Sequence, residues 1–213
     1  MAGPTDSGRR PRVGILGGTF DPPHVGHAIV AQDLVERLDL DRLLVVPAGD
    51  PPHRDTVFAA GDRLAWTRRV FRDAAPIEVS DVEHRRPGPS YTVDTLEELA
   101  GAHPDVELLL IMGADQFALL DTWKEPERLA GLARIAVMRR GGEEPAPPRG
   151  VDGIEYIATD VTRIDVSASQ IRDRLASGRP IRFLVPDAVR RDIERAWAAV
   201  GPAARSEPTP TGR

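Results

Sequence analysis

Short apolar segments alternate along this chain with segments in which apolar residues recur at helical spacing. The predicted strands are 12–16 (RVGIL), 42–46 (RLLVV), 76–79 (PIEV), 106–112 (VELLLIM), 134–138 (RIAVM) and the strand-like 154–158 (IEYIA). The predicted helices are 25–38, 62–71 with Asp62 as N-cap, 91–100, 125–131, 167–176 and 186–200. A helix between successive strands is the usual connection in a parallel sheet. The alternation therefore predicts an α/β fold with a doubly wound, mostly parallel sheet and helices on both faces, with ligands beyond the carboxyl ends of the strands.

The composition is typical of a soluble globular protein and excludes several other classes. A length of 213 residues suits one domain, predicted here over 12–200, between a disordered lead-in (1–11) and a disordered tail (201–213). Residues 141–153 are rich in proline and glycine and predict a surface loop. The net charge of −5 offers no broad basic surface for nucleic acid, and the absence of cysteine excludes disulfides and thiolate zinc sites.

The sequence also predicts no association with a membrane. No run of residues approaches the ~18 consecutive apolar positions of a membrane-spanning helix. The first residues lack the apolar segment of a secretory signal. The expected location is therefore the cytoplasm.

The segment GILGGTFDPPHVGH, at 14–27, predicts a binding site for phosphate oxygens. Gly17 and Gly18 follow the first predicted strand, and their missing side chains permit a tight turn with exposed backbone amides. The helix predicted from 25 onward points its first amides and the positive end of its dipole toward the same space. His24 and His27 are three positions apart and can share one face of the first helical turn. Metal ligation and a chance helix cap are the alternatives, but further metal ligands are missing nearby, and no metal site is predicted.

Two segments far apart in the chain resemble the nucleotidyltransferase superfamily. GGTFDPPHVGH, at 17–27, is similar to the superfamily signature whose HxGH motif follows the first strand of a Rossmann-like fold. Class I aminoacyl-tRNA synthetases carry a related motif, so a second segment is needed to decide. VSASQIR, at 166–172, resembles the "ISSTxIR" helix start of the superfamily, with serine at the threonine position.

The segments between these two resemble one branch, the bacterial nicotinate-mononucleotide adenylyltransferases. They are PPHR (51–54), GPSYTVDTL (88–96), MGADQF (112–117), TWKEPERL (122–129) and FLVPDAV (183–189). The resemblance covers 12–197. It implies transfer of the adenylyl group of ATP to nicotinate mononucleotide, giving nicotinate adenine dinucleotide and pyrophosphate in NAD biosynthesis. Such a transfer needs no protein nucleophile, because positioning and charge neutralisation supply most of the catalysis.

The resemblance implies roles for individual residues. His24, His27 and Arg172 would be catalytic, through the phosphates of ATP. The other residues implied in ATP binding are Gly17, Gly18, Thr19, Phe20, Gly113, Asp115, Arg139, Ser167 and Ser169. Those implied in mononucleotide binding are His53, Arg54, Thr92 and Trp123, with the indole of Trp123 stacked on the nicotinate ring. Mg²⁺ is the expected cofactor, carried mainly by the ATP phosphates. The expected partners are these two nucleotides, and a homo-oligomer is left open.

Several of these residues have a purely structural alternative. Asp115 could be an N-cap, Arg139 a solvated surface residue, Trp123 a packing residue and the SASQIR segment an ordinary capped helix. Other residues are assigned structural roles directly. Trp66 and Trp197 are predicted in the core, Asp21 in organising the turn, and the charged segment 83–86 in a loop.

Two other functions remain as alternatives. Phosphopantetheine adenylyltransferases share both signatures, but they are shorter and lack the WKEP and PSYTVDTL segments. A nucleotide-sensing module with an inactive site would bind the same ligands and act through a partner. The intact pair His24 and His27, together with Arg172, disfavours the second alternative.

Overall fold

Six parallel strands form one sheet in the computed structural model, which describes residues 9–139, 142, 144–149 and 154–200. The strands are β1 (Arg12–Gly18), β2 (Arg42–Pro47), β3 (Ile77–Val79), β4 (Glu107–Gly113), β5 (Arg134–Arg139) and β6 (Tyr156–Asp160). Their order is β3-β2-β1-β4-β5-β6, and every neighbouring pair is parallel. The strands β2 and β3 lie on one side of β1, and the later strands β4, β5 and β6 lie on the other side. The strand order therefore reverses between β1 and β4, and such a switch point is where sheets of this kind bind ligands. The predicted α/β, Rossmann-like fold is confirmed.

Helices connect the strands and cover both faces of the sheet. They are α1 (Val25–Arg37), α2 (Ala60–Val70), α3 (Val82–Arg85), α4 (Thr92–Ala102), α5 (Ala114–Phe117), α6 (Pro126–Leu132), α7 (Ala168–Ala176) and α8 (Asp187–Ala199), with a 3-10 turn at Leu120–Thr122. The N-cap of α2 is Ala59, so the prediction of Asp62 as N-cap is wrong. Asp62 lies in the first turn instead, where its negative charge interacts favourably with the positive end of the helix dipole. The helix α3 also replaces the loop predicted at 83–86.

Alternating side chains of the strands belong to two separate layers of core. In β4, Leu108 and Leu110 pack with the layer that includes α4 and α6. Leu109 and Ile111 point to the opposite face and pack with the layer that includes α1. This period of two follows from strand geometry, and because both faces are covered, β4 is apolar at every position from Leu108 to Met112.

A third apolar cluster joins α2, α7 and α8 beside the sheet. Trp66 and Trp197 are 3% and 8% exposed, which confirms that both belong to the core. The ring of Phe58 lies between them, with centroids 5.0 Å from Trp66 and 6.2 Å from Trp197. Ile171 of α7 is fully buried in the same cluster. The cluster therefore packs residues of α2, α7 and α8 together.

Parts of three predicted irregular segments lie outside the described residues. These parts are 1–8 of the lead-in, 141, 143 and 150–153 of the proline-rich loop, and 201–213 of the tail. Within the lead-in, the Pro11 carbonyl accepts a hydrogen bond from the Glu107 amide at 2.8 Å. No helix within 9–139 or 154–200 has the length and apolar character needed to cross a membrane.

Candidate active site

The turn between β1 and α1 begins later than the sequence predicts. Gly17 and Gly18 are the last residues of β1 and pair with Val46 and Pro47, so their assignment to the turn itself is wrong. The residue in the left-handed region is Phe20, with φ of 50°. A Cβ atom on Gly17 would have no atom within 4 Å, which leaves its backbone open to a close approach. A Cβ atom on Gly18 would come within 3.0 Å of the Phe20 ring.

The side chains that follow Gly18 shape the turn. The Phe20 ring is 2% exposed and its centroid lies 4.6 Å from that of His27. The Phe20 ring therefore packs in the core, and a contact between the Phe20 backbone and ATP stays a prediction. The carboxylate of Asp21 accepts hydrogen bonds from the amides of Val57 and Phe58, both at 2.9 Å. Asp21 thus organises the turn, as predicted, by tying it to the chain before α2.

His24 and His27 lie against one another at the start of α1. The backbone N–H of His24, the N-cap residue, donates to His27 Nδ1 at 3.1 Å. The two rings stack with centroids 3.7 Å apart and planes 24° from parallel. Because Nδ1 accepts a hydrogen bond, the proton of the neutral His27 ring is assigned to Nε2, which is then a donor. A Cβ atom on Gly26 would lie 3.0 Å from His24 Nδ1, so the glycine of HVGH makes room for the stacked rings.

The second signature segment forms the start of α7. Ser167 is the N-cap, and its Oγ accepts a hydrogen bond from the Gln170 amide at 3.2 Å. Gln170 Oε1 in turn accepts from the Ser167 amide at 3.1 Å, which completes a capping box. The hydroxyl oxygens of Ser167 and Ser169 are 3.0 Å apart. Both serines therefore lie at the positive end of the α7 dipole.

Arg172 joins the two signature segments directly. Its Nη1 donates to the Asp21 carbonyl oxygen at 2.6 Å across a sequence separation of 151 residues. The same atom is 3.6 Å from Asp21 Oδ2. Neither α1 nor α7 has an acidic residue in its first turn. No carboxylate in these turns would therefore repel an anion bound at the positive end of either helix dipole. The arrangement of two helix starts, His27 and one guanidinium is suited to a polyphosphate.

Comparison with known proteins gives the family. The model of the cytidylyltransferase-like family matches residues 15–174. A protein of Exiguobacterium sibiricum named "Probable nicotinate-nucleotide adenylyltransferase" is 39% identical over 184 residues, which cover 86% of this chain and 96% of that protein. This chain belongs to the nicotinate-nucleotide adenylyltransferase branch of the cytidylyltransferase-like family.

A second relative agrees with this family, and a solved structure agrees with the fold. A protein of Thermomicrobium roseum with the same name is 42% identical over 193 residues, covering 86% of this chain and 89% of that protein. The structure of Plasmodium falciparum nicotinic acid mononucleotide adenylyltransferase complexed with NaAD aligns with a TM-score of 0.70. That alignment covers 89% of this chain and 95% of the other at 17% identity, so it supports the fold alone.

Three residues that the resemblance implies in ATP binding lie at the carboxyl ends of β4 and β5, and they are Gly113, Asp115 and Arg139. Gly113 ends β4 and is the N-cap of α5. A Cβ atom on Gly113 would be 2.5 Å from Asp115 Oδ1, so the Asp115 side chain folds back over the glycine. Arg139 ends β5, and its guanidinium pairs with Asp160 at 3.0 Å and with Glu144 at 2.7 Å. A role for Arg139 toward ATP stays a prediction.

Four residues predicted to bind the mononucleotide lie on three segments at the same edge of the sheet. His53 and Arg54 are exposed in the loop after β2. Thr92 is the first residue of α4. Trp123 follows the 3-10 turn and is half-buried against the core layer beneath α4 and α6. The structure therefore adds a packing role for Trp123, while its contact with a nicotinate ring stays a prediction.

Short-range contacts hold the Trp123 segment against the start of α4. Lys124 Nζ pairs with Asp94 at 2.9 Å and lies 4.9 Å from the centre of the Tyr91 ring. Arg128 pairs with Glu97 one turn further along α4. These pairs are solvent-exposed and contribute little stability individually. They matter for geometry rather than stability, because they hold Trp123 near the start of α4, where Thr92 lies.

Two buried charged residues near the site were missed by the sequence analysis. Arg63 is fully buried and Glu83 is 9% exposed. Burial lowers the pKa of Arg63, whereas burial raises the pKa of Glu83. A signal for Arg63 was present, since it precedes Trp66 and Thr67 by three and four positions and so shares their buried helix face.

Proposed function

We propose that this chain transfers the adenylyl group of ATP to nicotinate mononucleotide and releases pyrophosphate. An oxygen of the mononucleotide 5′-phosphate attacks the α-phosphorus of ATP. The bond from that phosphorus to the bridging oxygen of pyrophosphate breaks, and nicotinate adenine dinucleotide is formed. The nucleophile comes from the substrate, so the protein has to align the two phosphates and neutralise the charge that develops.

The observation that carries the proposal is the hydrogen bond from Arg172 to the Asp21 carbonyl. It brings the guanidinium of the second signature to the turn that precedes the histidine pair. The first signature alone would fit several nucleotide-binding proteins. Both signatures at one site, in a chain about 40% identical to named adenylyltransferases over most of its length, support adenylyl transfer specifically.

Each residue near the turn has a physical role in this reaction. The Nε2–H of His27 can donate to an oxygen of the α-phosphate, where charge increases in the transition state. Arg172 can bind the β- and γ-phosphates through its planar guanidinium. The amides at the starts of α1 and α7 add further donors without needing to reorganise. Trp123 and Thr92 are assigned to the nicotinate ring and its carboxylate.

Mg²⁺ is assigned to the ATP phosphates rather than to a protein cage. Among the described residues, no group of three or more histidine, aspartate or glutamate side chains is placed to hold a metal ion. Mg²⁺ favours substrate phosphates and water with few protein ligands, and this donor set fits that preference. When bound, the ion would supply charge neutralisation on the leaving pyrophosphate.

The experiment that tests the proposal is acceptor-dependent release of pyrophosphate. Purified enzyme, ATP and Mg²⁺ are incubated with nicotinate mononucleotide, nicotinamide mononucleotide or 4′-phosphopantetheine, and products are identified by mass spectrometry. We expect nicotinate adenine dinucleotide as the main product. Turnover only with phosphopantetheine would replace this function with the related adenylyltransferase, and binding of nucleotides without any turnover would favour a sensing module. The cytoplasmic location stays a prediction.

A further inference from the structure

The guanidinium of Arg63 is fully buried and bonds to three separate segments of backbone. Nη1 donates to the carbonyl oxygens of Thr19 and Ala48, both at 2.7 Å. Nη2 donates to the Gly49 carbonyl at 3.0 Å, and Nε to that of Phe58 at 3.2 Å. Guanidinium remains charged in proteins, and such a buried cation is costly unless carbonyl dipoles surround it. This one side chain therefore spans the turn after β1 and the loop after β2.

Gly49 lies between two buried charged residues, Arg63 and Glu83. Its carbonyl accepts from Arg63, while burial raises the pKa of Glu83 and the nearby Gly49 amide acts against that rise. A Cβ atom on Gly49 would lie 2.6 Å from the Glu83 carbonyl oxygen, so only glycine fits this close approach. Arg63 therefore bonds to both loops, and Glu83 packs closely against Gly49 of the second loop.

The loop after β2 is in turn bonded to the segment that leads into α4. The Asp50 amide donates to Ser90 Oγ at 3.1 Å, and the Ser90 amide donates to the Asp50 carbonyl at 2.8 Å. Thr95 Oγ1, one turn after Thr92, donates to Glu83 Oε1 at 2.9 Å. The chain of contacts from Arg63 therefore ends at the helix start assigned to the nicotinate carboxylate.

We propose that Arg63 is a positioning residue that sets the phosphate-binding turn at Thr19 against the mononucleotide loop at 48–50. The inference rests on the proposed function, since it takes the two loops as the sites of the two substrates. Each loop has its own additional support, through Asp21 on one side and Ser90 on the other. Loss of the guanidinium therefore leaves each substrate site formed but misplaces one relative to the other.

Misplacement of this kind affects turnover more than binding. The attacking phosphate and the α-phosphorus have to be about 3–3.5 Å apart and in line, and an error of about 1 Å can cost on the order of 10²-fold in rate. Each substrate alone still contacts its own loop. A purely structural role would instead lower the melting temperature and leave the turnover of the folded enzyme unchanged.

The first test is Arg63→Lys, which keeps the charge but cannot bond to carbonyls in four directions. We expect kcat to fall by about 30-fold or more, while the Kd of ATP alone and of nicotinate mononucleotide alone change by less than about 3-fold. The matched control is Ile193→Ala, a fully buried residue of the third apolar cluster that contacts neither loop through a polar group. It should lower the melting temperature and keep kcat.

The second test changes the loop and leaves Arg63 in place. In Gly49→Ala the new methyl group pushes the peptide from Glu83, and kcat should fall by about 10-fold or more with the Kd of ATP unchanged. Combined with Arg63→Lys, its effect on kcat should be less than additive, because both variants change the same distance between the turn at Thr19 and the loop at 48–50. Should Arg63→Lys fail to fold, Gly49→Ala alone decides.

Three results would overturn the role of Arg63. They are a kcat within about 3-fold of wild type in folded Arg63→Lys, normal turnover in Gly49→Ala, or a loss of single-substrate affinity as large as the loss of kcat. Wild-type turnover with nicotinate mononucleotide is measured first. Its absence contradicts the proposed function, and the role of Arg63 is then measured with the acceptor that the enzyme does use.

Discussion

The backbone N–H of His24 donates to Nδ1 of His27, and the two imidazole rings stack 3.7 Å apart. The bond caps the first turn of α1 and also fixes which nitrogen of His27 carries the proton. One nitrogen of the ring thus holds the helix start while the other is a donor. The HVGH spacing is what allows this division, because the N-cap and third helical residues are three positions apart.

Replacing His27 separates these two functions. Asparagine can place an acceptor near the Nδ1 position but has nothing at Nε2. We expect His27→Asn to keep the melting temperature close to wild type and to lower kcat by about 10²-fold or more, from lost transition-state stabilisation. His27→Ala should lose the same turnover and, in addition, some helix stability. Steady-state kinetics and thermal melts measure both.

Two outcomes would contradict this assignment of His27. Near-normal turnover in His27→Asn would show that Nε2 does not act on the reaction. A loss of turnover that merely follows a loss of folded protein would reduce His27 to a capping residue. His24→Ala should also impair turnover, since it removes the ring that stacks on His27, and unaltered kinetics would remove His24 from the site.

Arg172→Ala is expected to weaken ATP more than nicotinate mononucleotide. The guanidinium is assigned to the β- and γ-phosphates, which only ATP carries. Because Nη1 also bonds to the Asp21 carbonyl, part of the loss comes from the turn itself. Arg172→Lys keeps the charge without the planar guanidinium and should recover part of the affinity. Separate titrations of the two ligands measure this, and equal losses for both would contradict the assignment.

The strands and the two signatures could be predicted because they are long or locally patterned. β4, for example, is apolar at every central position, and the histidine segment follows a strand directly. The short helices α3 and α5 have four residues each, which is too few for a periodic pattern. Their formation depends on tertiary packing rather than on local sequence.

The position of the turn and the role of Arg63 could not be predicted, for a different reason. The two glycines suggested a tight turn at 17–18, but the extended pairing of β1 with β2 continues through Gly18, and the residue with a positive φ is Phe20. Arg63 acquires its role only because carbonyls from the turn after β1 and the loop after β2 converge on it, beside that of nearby Phe58. Neither fact is encoded within a short window of sequence.

Trp123→Ala should weaken both pyridine mononucleotides without reversing the preference for the acid form. Stacking on the ring does not depend on its substituent, and its loss should cost roughly 1–3 kcal/mol by analogy with base–aromatic stacking. Discrimination between the two substrates should instead depend on backbone N–H donors, such as that of Thr92, which are left unpaired when nicotinamide mononucleotide binds. The measurement is kcat/KM for both substrates in wild type and variant.

The structure adds a control to the Trp123 experiment. Because Trp123 packs against the core beneath α4 and α6, its removal also loosens that layer. Trp123→Phe retains an aromatic face and should keep most of the affinity. A wild type that prefers the amide, or a Trp123→Ala variant that loses all selectivity, would contradict this account of the pocket.

The last prediction concerns acid stability and His84, which lies in α3 beside the loop after β2. Burial lowers the pKa of His84, and the Arg63 and Arg68 charges act in the same direction, against Asp81 and the Pro47 carbonyl. Its Nε2 is buried and, among the residues that the structure describes, has no hydrogen-bond partner. Burial thus outweighs the Pro47 carbonyl and Asp81, and the folded state favours the neutral ring.

The sign of the effect follows from the two pKa values. In the unfolded chain His84 titrates near about 6.5, and in the folded chain it titrates lower. Between these values the unfolded state binds more protons, so the free energy of unfolding falls as the pH drops below about 6.5. Urea unfolding at about pH 7.5 and about pH 5.5 should show a larger loss of stability in wild type than in His84→Gln, which cannot be protonated. Equal losses in the two proteins would show that His84 does not contribute to acid destabilisation.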